Sequence, residues 1–183
     1  LAEFPRCCGV LDIIYNPERT ELLLAAERLG IPHAGGLYML VAQAKRSSEL
    51  FTGIRIADSE IERIEKKLAA AMKNIVLIGM PGCGKSTVAG LLGAALGREV
   101  FDADALVSEL AGMSIPDIFA KYGEEVFRKY ETEAIRELGK KSGAVIATGG
   151  GCITRAENYP LLHQNGVIVW LKRDISMLPK DGR

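Results

Sequence analysis

From position 74 onward, short apolar runs alternate with stretches in which apolar residues recur every three to four positions. The runs sit in IVLIG (75–79), REVFDAD (98–104), GAVIATGGG (143–151) and GVIVWLKRD (166–174). Apolar side chains on consecutive positions belong to strands covered on both faces. Between them, the periodicity predicts helices from Lys85 to about Leu96, over 103–111, 114–122 and 124–138, and a short one near ENYPLL (157–162). This alternation predicts an α/β fold with a doubly wound parallel sheet, whose ligands sit at the carboxyl ends of the strands.

The preceding part reads differently. GVLDIIYNP (9–17) has the pattern of a buried strand ended by an Asn-Pro turn. RTELLLAAERLGI (19–31) is an amphipathic helix with Thr20 as N-cap and Gly30 as its stop. A glycine loop, PHAGG, then enters a second helix ending at Gly53. In DSEIERIEKKLAAAMKN (58–74), Ser59 and Glu62 have the spacing of a capping box, and Ile61, Ile64, Leu68 and Met72 share one face. The opposite face is charged, so this helix is expected at the surface, joining two parts. The expected organisation is residues 1–53, a joint over 54–73, and a domain over 74–183.

Composition narrows the function classes. Lys plus Arg equals Asp plus Glu at 23 each, so no net field draws in nucleic acid or an anionic membrane, and any bound anion needs a local site. No run has the length of a membrane span, and residues 1–30 lack a signal-peptide arrangement. The cysteines at 7, 8, 83 and 152 fit neither zinc spacing nor a disulfide framework, which points to reduced thiols and a cytoplasmic enzyme. Nothing in the pattern fixes an oligomeric state.

The local anion site is explicit. Gly79-x4-Gly84-Lys85-Ser86, inside GMPGCGKST, follows a predicted strand and opens a predicted helix. In such a loop the glycines, Gly82 and Gly84 among them, let successive N–H groups turn toward phosphate oxygens, and the helix adds its positive end. Lys85 reaches the outer phosphates, Ser86 offers a hydroxyl to Mg²⁺, and Cys83 and Thr87 complete the loop that would hold ATP. Cys83 reads either as a small filler or as a thiol activated beside the lysine.

Three further stretches bear on what is phosphorylated. Asp102 and Asp104 end the second strand, where one carboxylate suits Mg²⁺ and the other a hydroxyl; either could equally cap the next helix. Arg128 and Glu131 stand three apart on one helix, as a surface ion pair or as an arginine held for an acidic ligand. Gly149, Gly150 and Gly151 end the third strand, as a flexible turn or as backbone on which a ligand lies.

With these stretches in order, residues 74–183 resemble the shikimate kinases: GMPGCGKST, the DAD pair, SIPDIFAKYGEEVFRKYE, TGGG and LPKDGR. The resemblance implies a P-loop fold like that of nucleoside monophosphate kinases, and transfer of the ATP γ-phosphoryl to the 3-hydroxyl of shikimate. It assigns Lys85 and Ser86 to the phosphates and Mg²⁺, Asp102 to the metal side and Asp104 to the shikimate hydroxyls. It gives Arg128 the shikimate carboxylate, the Gly149–Gly151 turn the substrate through its backbone, and Arg183 the opening of a lid that faces ATP. The family continues past that arginine, so little or no turnover is expected of residues 1–183 alone.

Residues 9–53 resemble the C-terminal end of the shikimate dehydrogenases, through DIIYNPERTELLLAAERLGI and GGLYMLVAQAKRSSELFTG. That resemblance places Tyr15 and Gln43 against shikimate and Gly36 near NADP. It also implies that the catalytic half of the dehydrogenase is missing, so NADP belongs to a parent enzyme alone. The expectation is a dehydrogenase–kinase fusion cut at both ends, its first part an incomplete α/β tail with Ile13, Ile14, Leu22 and Leu23 left open. The rivals are a kinase of the same fold acting on another polyol acid, a nucleotide-binding module without catalysis, and a tail that serves only for docking.

Overall fold

The computed structural model describes residues 1–174, 176 and 178. The chain forms two compact units, residues 1–72 and the part from Lys73 on. The first is built on two short parallel strands, β1 (Val10–Leu11) and β2 (His33–Ala34), joined through helix α1 (Glu21–Arg28). Thr20 caps α1: its Oγ1 accepts from Leu23 N at 3.3 Å and donates to Asp12 Oδ2 at 2.6 Å. That bond, and a second from Ile14 N, hold the Asp12 carboxyl below its usual range.

The expected strand over 9–17 shrinks to Val10–Leu11, because β2 offers it only two partners. Leu23 was expected to be open, but it is buried with Val10 and Ala26 in a small core, whereas Ile13, Ile14 and Leu22 stay exposed.

Helix α2 (Leu37–Thr52) ends on Gly53, whose φ of 69° is the left-handed stop that glycine favours. Beyond it, Lys45 Nζ donates to Asp58 Oδ1 at 2.6 Å, and Glu49 Oε1 accepts from Ile56 N at 3.0 Å, so the segment 53–58 is tied back onto α2. Helix α3 (Ser59–Met72) packs along α2 and falls within the first unit. Ser59 is its first helical residue rather than its cap. The N–H groups of Glu60 and Ile61 bond instead to the carbonyls of Ala57 and Asp58, at 3.1 and 3.0 Å.

The second unit carries a four-stranded parallel sheet in the order β4-β5-β3-β6: β3 (Asn74–Ile78), β4 (Val100–Asp102), β5 (Val145–Ala147) and β6 (Gly166–Trp170). Side chains alternate through it. Val76 and Ile146 face α5 (Ala103–Ala111), α6 (Ile115–Gly139) and α7 (Asn158–His163), while Leu77, Val145 and Ala147 pack on α4 (Lys85–Leu96). Covering both faces explains why β3 and β5 read as unbroken apolar runs, whereas β6, expected to be covered likewise, lies at the sheet edge with Val167, Val169 and Trp170 exposed. Buried Asn74 pins two strand starts together, accepting from Ala144 N at 2.9 Å and donating to the Lys141 carbonyl at 2.6 Å. Within α6 the helix breaks at Gly123, where the sequence predicts a boundary between two helices. No helix among the described residues is long and apolar enough to cross a membrane.

Candidate functional site

The carboxyl ends of β3, β4 and β5 open onto a cleft of about 1130 Å³. At its floor the loop after β3 turns through Gly82 (φ 75°) and Gly84 (φ 97°) into the start of α4, conformations that a side chain would strain. The loop backbone thus sits at the positive end of a helix. Lys85 is buried, its ammonium donating to the carbonyls of Gly79 and Met80 at 2.7 and 2.9 Å, with Cys83 Sγ at 3.9 Å.

Asp102 does two things at once. Its Oδ1 accepts from Asp104 N at 2.9 Å and caps α5, while Oδ2 accepts from the Ser86 hydroxyl at 3.0 Å. A hydroxyl and a carboxylate at this separation have the spacing of two adjacent ligands of a hard cation. No cluster of three or more His, Cys, Asp or Glu able to hold a metal occurs among the described residues, so a Mg²⁺ here would take its remaining ligands from phosphate and water.

The opposite half of the cleft is carried by α6 and by the turn after β5. Arg128 donates to Glu131 Oε2 at 2.8 Å and to Glu124 Oε1 at 3.0 Å. Glu131 is 1% exposed, and its other oxygen, Oε1, has no hydrogen-bond partner among the described residues. Burial pushes the Glu131 carboxyl above its usual range, further than Arg128 draws it down, and the charge of Asp104 adds to the rise.

The three glycines of the turn are needed for space. A Cβ on Gly149 would lie 2.7 Å from Asp104 Oδ1 and 2.9 Å from Glu131 Oε1. On Gly150 it would lie 2.5 Å from the Pro81 ring, and on Gly151 2.6 Å from the Arg128 guanidinium. The turn is therefore the seam at which the phosphate loop, the carboxylates and the arginine meet.

The structure brings together Gly82, Gly84, Lys85, Ser86, Thr87, Asp102, Asp104, Arg128 and Gly149–Gly151 in this one cleft. Cys83 touches it only through Lys85. Arg183 lies outside the described residues. Tyr15 and Gln43 are exposed in the first unit, and Gly36 is buried there, where a Cβ would collide with the Ile13 carbonyl. Sequence reasoning missed the apolar wall of Ile115, Pro116, Phe119 and Phe127. Its signal was the four-residue spacing of Ile115 and Phe119 on the first predicted helix and Phe127 beside Arg128 on the next, which reads equally well as core.

Comparison with known proteins places this architecture. The family described as shikimate kinase matches residues 81–180. A shikimate kinase of Geobacter sulfurreducens is 49% identical over 106 residues, covering 58% of this chain and 59% of that protein. One from a Synechococcus strain is 49% identical over 98 residues, covering 54% and 50%. The chain thus spans little more than half the length of these relatives. Among solved structures, the shikimate kinase of Acinetobacter baumannii in complex with shikimate superposes with a TM-score of 0.57 at 42% identity, over 60% of this chain and 62% of that one. That of Aquifex aeolicus gives 0.55 at 37%, over 60% and 67%. A phosphate loop, a paired-aspartate strand end and a glycine turn on one parallel sheet, matched over more than half its residues, make this chain a member of the shikimate kinase family.

Proposed function

We propose that the second unit belongs to an enzyme that transfers the γ-phosphoryl group of ATP to the 3-hydroxyl of shikimate. The observation that carries this reading is the convergence, in one cleft, of a phosphate loop at one end and an arginine with two carboxylates at the other. Loop N–H groups and Lys85 hold the outer phosphates. Ser86 and Asp102 would hold Mg²⁺, which would supply neutralisation of charge on those phosphates. Asp104 orients the accepting hydroxyl, and Arg128 pairs with the acid's carboxylate beside the backbone of Gly149–Gly151. Arg183 is the further residue proposed to face ATP. An acidic, hydroxylated ring suits this half better than a nucleobase, because a carboxylate answers Arg128 and hydroxyls answer the acidic side.

We read the first unit as the tail of a shikimate dehydrogenase joined to the kinase through 54–73, with Tyr15, Gly36 and Gln43 as remnants of a shikimate and NADP site. Unpaired apolar side chains there, such as Leu11 at 85% and Ile13 at 73% exposure, support a tail that once packed on more chain. The test is ADP formation by the chain extended at both ends. Release that requires shikimate and collapses in Asp104→Asn supports the kinase reading. Release indifferent to shikimate hands the acceptor to another polyol acid, and nucleotide binding without release leaves a binding module.

A further inference from the structure

Gly123 has φ 79° and ψ 178°, a combination open to glycine alone. A Cβ built on it meets nothing within 4 Å, so packing does not demand glycine there; only the backbone does. The bend it makes divides α6 into two limbs, and both face the cleft. The first carries Ile115, Pro116 and Phe119, the second Phe127, Arg128 and Glu131.

Phe119 and Phe127 are eight residues apart, which along a straight helix is a rise of about 12 Å. Their ring centroids are 4.7 Å apart, at 32°. The Arg128 guanidinium carbon lies 5.2 Å from the Phe127 ring centre. The bend therefore brings Phe119 of the first limb onto Phe127 of the second, beside Arg128, a ring contact that a continuous helix would pull apart.

We propose that Gly123 is the positioning residue of the acceptor half of the cleft. It sets the angle at which the apolar wall meets the arginine, and so selects a small anion with a flat apolar face over an extended or purely polar one. This deepens the kinase reading and rests on it for the identity of the anion.

Gly123→Ala and Gly123→Asn separate the possibilities. Asparagine tolerates the ordinary left-handed region but not ψ near 180°, so both variants should fail alike. The expected result is loss of the Phe119–Phe127 ring contact in ligand-free NMR spectra and about tenfold weaker shikimate binding. ADP binding should stay within about twofold, because the phosphate loop is on another element. Phe119→Ala, which leaves the backbone alone, should weaken shikimate binding similarly, and the double variant should be no worse than either single one.

A ring contact that survives in Gly123→Ala, unchanged shikimate affinity once the contact is lost, or rescue by asparagine would each overturn the proposal. Should Gly123→Ala fail to fold, unchanged shikimate affinity in Phe119→Ala overturns it alone. Should the chain extended at both ends bind ADP but no shikimate, the kinase reading falls, and the ring contact decides the inference about Gly123 by itself.

Discussion

At the scale of the residue, neighbouring positions with the same amino acid carry different consequences. Gly151 and Gly150 both lack room for a Cβ, but the obstacle at 151 is the end of a flexible arginine, and at 150 it is the proline of the phosphate loop. Gly151→Ala should therefore keep the fold and push Arg128 off Glu131, weakening shikimate binding about tenfold while ADP binding holds. Gly150→Ala should disturb the loop as well and weaken both ligands. Titration calorimetry with each ligand in turn checks the contrast, and equal behaviour of the two variants would refute it. Glu131 offers a pH test. Its pKa is raised in the folded chain, so its contribution to stability is fully present below the ordinary value of 4.5 and is lost as pH rises through the raised one. Melting temperatures of the unaltered chain relative to Glu131→Gln should be highest in acid and fall toward neutral pH. A difference that grows with pH would show that the ion pair with Arg128 outweighs burial.

At the scale of the element, what could be read from sequence was whatever local chemistry decides. Thr20 before α1 and Gly53 after α2 announce helix ends, because each satisfies backbone groups within a turn of itself. Strands β3 and β5 announce themselves by apolar runs that two covering layers require, while β6 carries the same kind of run at the sheet edge with Val167, Val169 and Trp170 exposed. What escaped depended on partners distant in sequence. The strand around Val10 could not reveal that β2 would meet it over two residues. Glu131, spaced like a surface residue, could not reveal that the turn after β5 would bury it. Asp102 is the instructive case, since capping and metal binding read as alternatives, and the geometry gives one oxygen to the cap while the other accepts from Ser86 and is left for the proposed metal role. The two roles separate by substitution. Asparagine caps as well as aspartate, so Asp102→Asn should melt within a degree or two of the unaltered chain yet lose the Mg²⁺ dependence of nucleotide binding. Asp102→Ala should also lose about 1 kcal/mol of stability with its cap. Full Mg²⁺ dependence in the asparagine variant would remove Asp102 from the metal side.

At the scale of the whole molecule, the two units are unequally provided with core. The second buries three clusters of apolar residues, spread over both faces of its sheet and between α5 and α6. The first buries Val10, Leu23 and Ala26 in one, while Leu50, Phe51 and Ile54 stand 69%, 90% and 66% exposed. A core that small leaves little to offset the conformational entropy of ordering its chain, so the first unit should melt at the lower temperature. The phosphate loop belongs entirely to the second unit, and a ligand stabilises only the fold that binds it. ADP with Mg²⁺ at a hundred times its dissociation constant adds about 2.7 kcal/mol to that fold and nothing to the other. Scanning calorimetry should therefore resolve two transitions, of which nucleotide raises only the upper. Shikimate should act on the same upper transition through Arg128, and the Gly151→Ala chain should lose that second shift while keeping the first. One transition that moves as a whole with ADP would mean that the units fold as one body, and that the first contributes to the stability of the cleft.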